Sequence, residues 1–343
     1  MSPVKRTVLW VLALGFFVVA GSTAQEPAAA GEYPGLETGK MWTFDVPPLE
    51  YWARRYNFRP SQAWLDHARL AAARLGGCTA SFVSADGLVM TNNHCARGCI
   101  AAVSRQGEDL LGNGFYATTR AEERTCPGGF VEQLREITDV TDQVSAAVPA
   151  GTPANRAADL RAEAIRGIEQ RCRGTQTDVT CQVVTMYRGG QYKLYRFRRF
   201  TDVRLVFAPE VSMAFWGGDP DNFTYPRHDL DVTFYRVYVN GQPAQMDVFY
   251  RWSRNGSREG DLVFVVGNPG STGRLNTLSV LEYLRDVQYP ATLDAFARQI
   301  AVYTALGQMS PERTAALRNT LFGIQNSQKA TQGYLAGLVD PQL

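Results

Sequence analysis

Three histidines occur in a chain of 343 residues, His67, His94 and His228. His94 is the penultimate residue of the stretch "CTASFVSADGLVMTNNHC", which runs from Cys78 to Cys95. An imidazole there can act as a general base, a metal ligand or a hydrogen-bonded core group. A base needs a rigid mount, because a small misplacement of the ring costs rate heavily. A bridge between Cys78 and Cys95 would supply that mount by pinning the histidine to the first strand of a hairpin. On these residues alone a structural histidine stays open as the alternative.

A second constellation, "WGGDPDNFTYPRHDLDVTFYRVY", places four acids, an asparagine and an Arg–His pair in a loop broken by Gly and Pro. Loops this dense in polar groups are either solvated turns or sites. Asp231 stands at the entrance to an apolar strand, where a half-buried carboxylate can accept the imidazole Nδ1–H, fix its tautomer and stabilise the imidazolium. Asp219, Asp221 and Asp229 fit turn or capping roles. Metal binding is the rival reading. Asp219, Asp221 and Asn222 resemble the opening of a calcium loop, but the distal bidentate Glu is missing. His94 and His228 lack the paired ligands that would support zinc. No metal and no cofactor is expected. A serine nucleophile needs a Gly-x-Ser-Gly type turn whose N–H groups form an oxyanion hole. Ser271, in Pro-Gly-Ser-Thr-Gly, departs from that pattern and is taken as a turn residue.

These groups must be positioned by a fold. The chain is 45% hydrophobic and 20% charged, as in globular proteins, and its net charge of +2 gives no reason to expect a nucleic-acid partner. Lys5 and Arg6 precede an apolar run ending in "GSTAQE", so residues 1–24 are expected to be a cleaved signal peptide. The product should be periplasmic or secreted, with no membrane attachment after cleavage. Export favours disulfides among the six cysteines. Cys172 with Cys181, Cys78 with Cys95 and Cys99 with Cys126 are the candidate pairs, out of fifteen possible pairings. Residues 25–41 resemble a leader, and the aromatic, proline-broken run that follows suggests an irregular arm. A helix is expected over residues 60–75, capped by Ser61, with Trp64, Ala68, Ala72 and Leu75 on one face. "SFVS" and "LVMT" around Ala85–Asp86–Gly87 predict a hairpin. Another helix is expected near 153–171. "DVRLVFAP", "VTFYRVYV" and "DLVFVVGNPG" predict strands. From about residue 276 to the end the pattern is helical, with Ser310–Pro311 a strong start signal. The organisation is thus a β-rich domain over 42–275 with helical insertions, followed by helices over 276–343.

Taken together, "KMWTFDVPP", "QAWLDHARL", "CTASFVSADGLVMTNNHC", "GGDPDNFTYPRHDLD" and "NSQKATQGYLAGLVDP" resemble the bacterial dipeptidyl peptidases of the dipeptidyl-peptidase 7 and 11 type. The motifs run in order from about residue 35 onward. The resemblance implies a serine exopeptidase that removes dipeptides from the free N-termini of peptides or oligopeptides, and is compatible with a homodimer in the full-length family. It implies a chymotrypsin-like double β-barrel, with the first barrel here and an α-helical domain beginning after it. It places the catalytic histidine on His94 and the catalytic aspartate on Asp231. Asn222 and Phe223, with Asn326, would bind the substrate's α-amino group. Two departures matter. Asn93 stands where a second histidine is usual, and Phe223 where a tryptophan is usual. The family's nucleophile, in a Gly-Asn-Ser-Gly-Ser type motif, matches nothing in the chain. This implies an N-terminal half that carries the His and Asp of a triad and is inactive alone. A catalytically inactive peptide-binding module, or a small endopeptidase using Ser271, are the alternatives.

Overall fold

The computed structural model describes residues 41–214, 217–268 and 276–341. The expected signal peptide, the leader as far as Lys40, and Ser271 lie outside the described residues. No helix among the described residues is long and apolar enough to cross a membrane.

The strands are β1 (Ala72–Leu75), β2 (Cys78–Phe82), β3 (Leu88–Thr91), β4 (Phe115–Tyr116), β5 (Arg124–Thr125), β6 (Val131–Asp139), β7 (Val179–Met186), β8 (Gln191–Phe200), β9 (Asp202–Ala208), β10 (Thr233–Val239) and β11 (Gln242–Pro243). They form a sheet in the order β4-β9-β10-β3-β2-β1-β6-β8-β7, with β11 on β10 and β5 on β9. Its ladders are antiparallel. The helices are α1 (Leu49–Tyr56), α2 (Gln62–Ala71), α3 (Asn93–Val103), α4 (Leu110–Asn113), α5 (Thr141–Ala146), α6 (Ala154–Arg173), α7 (Leu278–Tyr283), α8 (Tyr289–Gly307) and α9 (Pro311–Val339). A π-helical turn, Leu284–Gln288, joins α7 to α8.

The core follows from period-two burial on the strands and period-four burial on α3. Val89, Leu205, Tyr235 and Val237 from the sheet meet Ala96 and Ile100 of α3, all within 2% of full burial. The hairpin between β2 and β3 turns at Gly87, whose φ is +74°. A Cβ at Gly87 would lie 2.9 Å from the Val237 carbonyl oxygen, so glycine is needed there for conformation and for space.

Several expectations are corrected. The helix expected over 60–75 stops at Ala71, and Ala72–Leu75 is β1. Strands β2 and β6 flank that segment, and ladder pairing on both sides outweighs the helix propensity of alanine. The aromatic arm contains α1, which begins just after Pro47–Pro48, where the absent proline N–H costs the helix nothing. The strand expected around 261–268 has no ladder partner among the described residues, and Val265 is fully exposed. Side chains hold it instead: Phe264 packs among Trp52, Phe58 and Trp64, and Asn268 donates to Thr79 Oγ1 and to the Ala73 carbonyl. The sheet is mainly antiparallel with helices, as expected, yet it is not a closed barrel. Arg124–Thr125 pairs with β9 and Val131–Asp139 pairs with β1. Between them the chain leaves the ladder in a turn through Gly128, at φ +66°, so the two pieces do not join into one strand.

The cysteines pair as Cys78–Cys95, Cys99–Cys126 and Cys172–Cys181. The first two tie α3 to β2 and to the segment after β5. The third closes the connection from α6 to β7.

Candidate active site

Antiparallel register brings His94 and Asp231 together. Thr91, the last residue of β3, pairs with Thr233, the first of β10. The residues just past β3 therefore meet those just before β10, and these are His94 and Asp231. Asn93 reinforces the junction: it is 2% exposed and its Nδ2 donates to Thr233 Oγ1 at 3.2 Å. The position where a second histidine was expected thus holds a buried structural amide.

Asp231 makes two bonds to one residue. Its Oδ2 lies 2.6 Å from His94 Nδ1, and its Oδ1 accepts the His94 backbone N–H at 2.9 Å. The second contact is a helix cap. His94 is in the first turn of α3, and Asp231 satisfies one of the donors left open at a helix start. The Asp231 carboxylate and the helix carrying the imidazole are one unit. Burial pushes the Asp231 carboxyl up, but the His94 side-chain and backbone hydrogen bonds, the nearby imidazole charge and Asn92 outweigh it, and the net shift is downward. A carboxyl held below its unfolded value adds stability above that value and loses it as pH falls through the folded one. The Tm difference between wild type and Asp231→Asn should therefore be constant above about pH 4.5 and shrink below about pH 4. A difference that grows in acid would contradict this, and scanning calorimetry between pH 3 and 7 decides.

His94 also lies within 4.8 Å of the Cys78 and Cys95 sulfurs. Those sulfurs are bonded to each other and offer no thiolate, which removes the zinc reading for this cluster. His67 and His228 are exposed, and Asp219 accepts from the Asp221 backbone N–H in a tight turn rather than a calcium loop.

The second half of the site lies where the 217–231 loop presses on α9. Asn222 is 2% exposed, and its Nδ2 donates to Gly217 O at 3.0 Å and to Asn326 Oδ1 at 2.9 Å. Phe322, Asn326 and Lys329 repeat at helical spacing along one face of α9. Lys329 Nζ donates to the carbonyls of Asp219 and Pro220 at 2.6 and 2.9 Å. Arg97, one turn after His94, donates to Ala214 O and lies 4.9 Å from the Phe322 ring centroid, which links α3 to α9. Phe223 follows Asn222 at φ +62°, a conformation that bulky side chains rarely adopt, and its side chain is exposed. The structure thus joins Asn222 to Asn326 and leaves the Phe223 ring turned to solvent beside them.

Sequence reasoning missed Asn92, Lys329 and the Arg227–Asp229 pair. Asn92 Nδ2 donates to Asp231 Oδ2 at 3.0 Å. Arg227 Nη2 lies 2.7 Å from Asp229 Oδ2, an ion pair off ideal hydrogen-bond geometry, and Arg227 also reaches Asn222 Oδ1 at 3.4 Å. Burial pushes the Asp229 carboxyl up; Arg227 opposes that while Asp231 and Asp219 add to it. A helix start at Asn92 was the one available signal, since asparagine favours that position. Beside this loop lies a cleft of about 530 Å³ lined by Asp219, His228, Asp229, Arg318 and Phe322, among others.

Gly217 shows how tightly the loop sits. Its φ is +95°, and a Cβ would fall 2.7 Å from Phe322 O. Gly217→Ala should cost about 1–3 kcal/mol and displace the loop from α9. The expected reading is a raised KM with kcat little changed for a substrate that engages Asn222, and an unchanged KM would show that the loop is not so constrained.

A histidine–aspartate pair thus stands at one end of an antiparallel sheet, and a buried asparagine, Asn222, lies nearby in the preceding loop, held by Asn326 of α9. A protein-family model named Peptidase S46 matches residues 36–343. The chain belongs to the peptidase S46 family. It is 33% identical over 279 residues to an Asp/Glu-specific dipeptidyl-peptidase of Shewanella putrefaciens, covering 78% of this chain and 38% of that protein. It is 37% identical over 216 residues to dipeptidyl-peptidase 7 of Porphyromonas endodontalis, covering 59% of this chain and 26% of the relative. The crystal structure of Porphyromonas endodontalis DPP11 in complex with substrate superposes with a TM-score of 0.72 at 27% identity, covering 89% of this chain and 47% of that one. The chain therefore spans less than half the length of the relatives it matches.

Proposed function

We propose that this chain supplies the general base and the N-terminus-binding surface of an exported serine-type dipeptidyl aminopeptidase. The observation that carries the proposal is the doubly bonded His94–Asp231 pair in a member of the peptidase S46 family. Relatives named as dipeptidyl-peptidases, and a matching structure of DPP11 with the dipeptide Arg-Asp, support a peptide substrate. Three disulfides and no free cysteine among the described residues are consistent with an oxidising, exported setting. The approach of the 124–139 segment to both β9 and β1 supports a distorted form of the chymotrypsin-like barrel.

In this reading His94 Nε2 takes the proton of a serine hydroxyl as it attacks the scissile carbonyl, and later returns it to the leaving amine. Asp231 holds the Nδ1–H tautomer and stabilises the imidazolium. The amide oxygens of Asn222 and Asn326 accept from the substrate's α-ammonium, and the exposed Phe223 ring offers its face to the same charge. Fixing the ammonium at a set distance from the nucleophile makes the product a dipeptide. The test is hydrolysis of dipeptidyl chromogenic substrates, with free or acetylated amino termini, by the full natural gene product. The proposal expects turnover that acetylation and His94→Ala each abolish. Turnover indifferent to acetylation, or surviving His94→Ala, overturns it. Loss with Ser271→Ala would favour a small endopeptidase instead.

A further inference from the structure

We propose that Asn92 is a positioning residue for the His94–Asp231 pair: its side-chain amide holds the Asp231 carboxylate in the orientation that serves both the imidazole and the start of α3. Asn92 occupies the N-cap position of α3, where asparagine is among the favoured residues because its side chain can satisfy the helix's own open N–H groups. Here it makes no such bond. Its Nδ2 instead donates to Asp231 Oδ2 at 3.0 Å and to the Asp231 carbonyl at 3.2 Å. The N–H group it leaves is taken by Asp231 Oδ1. The two residues have exchanged partners: the aspartate caps the helix, and the capping residue braces the aspartate.

The exchange has a physical consequence. The terminal torsion of an aspartate is broad, so a carboxylate is free to tilt unless its neighbours prevent it. The two bonds from His94 fix the oxygens relative to α3. The two bonds from Asn92 fix the same carboxylate relative to its own backbone, and hence relative to β10. An amide also does this without adding charge. A lysine or arginine in that place would neutralise the carboxylate and weaken its hold on the imidazolium. The charged groups already acting on Asp231 or beside it are Arg97 on α3 and Asp229 and Arg227 on the loop.

The proposal rests on His94 being the base, and its test reads ring geometry rather than turnover, so the two stand or fall separately. With three histidines in the chain, proton NMR can isolate the His94 ring by comparison with His67→Gln and His228→Gln. The wild type should show a far-downfield Nδ1–H resonance from the ring bonded to Asp231. Asn92→Ala is expected to broaden or abolish that resonance, because the untethered carboxylate no longer holds the ring in one orientation. Asn92→Ser can cap α3 but has no amide to reach Asp231, so it should recover Tm without recovering the resonance. If Asn92→Ala leaves the resonance unchanged, or Asn92→Ser restores it together with Tm, the amide serves only the helix and the proposal is wrong. Should Asn92→Ala fail to fold, the Asn92→Ser spectrum decides alone.

Discussion

Replacing Asp231 by asparagine in the full natural gene product is expected, on the proposed function, to lower kcat for dipeptide release by about 10⁴-fold with little change in KM. The size of the loss comes from the double duty of the carboxylate. One oxygen accepts the His94 backbone N–H and the other lies against Nδ1. An asparagine has one oxygen to offer. If that oxygen keeps the helix cap, the amide NH₂ faces the ring, Nδ1 must accept, and Nε2 carries the proton that a general base has to lack. If the amide flips, the ring regains its acceptor and α3 loses its cap. Asp231→Ala removes both partners, and should add about 1 kcal/mol of lost capping to the same loss of rate. Steady-state kinetics with thermal melts of both variants separates these outcomes. A loss below tenfold for Asp231→Asn would remove Asp231 from the role of orienter.

Removing the Cys78–Cys95 bridge, as Cys78→Ser with Cys95→Ser, should reduce stability by about 3 kcal/mol on the chain-entropy model, given its sequence separation of 17. At about 2–4 °C per kcal/mol, Tm falls by several degrees. The functional loss should exceed what the stability loss implies, because Cys95 is the residue after His94 and its bridge anchors the first turn of α3 to β2. Cys172 and Cys181 provide the control. Their separation of 9 gives a comparable entropic contribution of about 2.5 kcal/mol, but they join α6 to β7 away from His94. Paired serine variants should therefore lose similar stability, with kcat reduced only in the first. Equal kcat losses would show that the first bridge acts through global stability alone. Melts and single-turnover rates at a temperature well below both Tm values make the comparison.

Much of the local structure was legible because it depends on neighbours in sequence. Gly87 marked the hairpin, Ser310–Pro311 marked α9, and the Ser310 hydroxyl does accept the Arg313 N–H. Cys172 and Cys181, close in sequence, were a candidate local pair among fifteen possible pairings, and they do bridge. The errors share one cause. Ala72–Leu75 carries a helical pattern, and residues 261–268 carry a strand pattern, yet each is settled by whether a partner strand lies alongside. The first has two partners and becomes β1. The second has none among the described residues and joins no ladder.

The site divides in the same way. The sequence by itself determined the candidate groups: His94 beside a cysteine, Asp231 at a strand entrance, and Asn222 in a Gly-rich loop. Those depend on residue type and on spacing within a motif. Tertiary structure alone decided their partners. Antiparallel pairing of Thr91 with Thr233 brings together residues 137 apart, making Asp231 the cap of the helix that bears His94. The packing of α9 on the 217–231 loop gives Asn222 its Asn326 and Gly217 its lack of room. Contacts across such separations follow from sheet register and helix packing, and no local pattern of side chains encodes either.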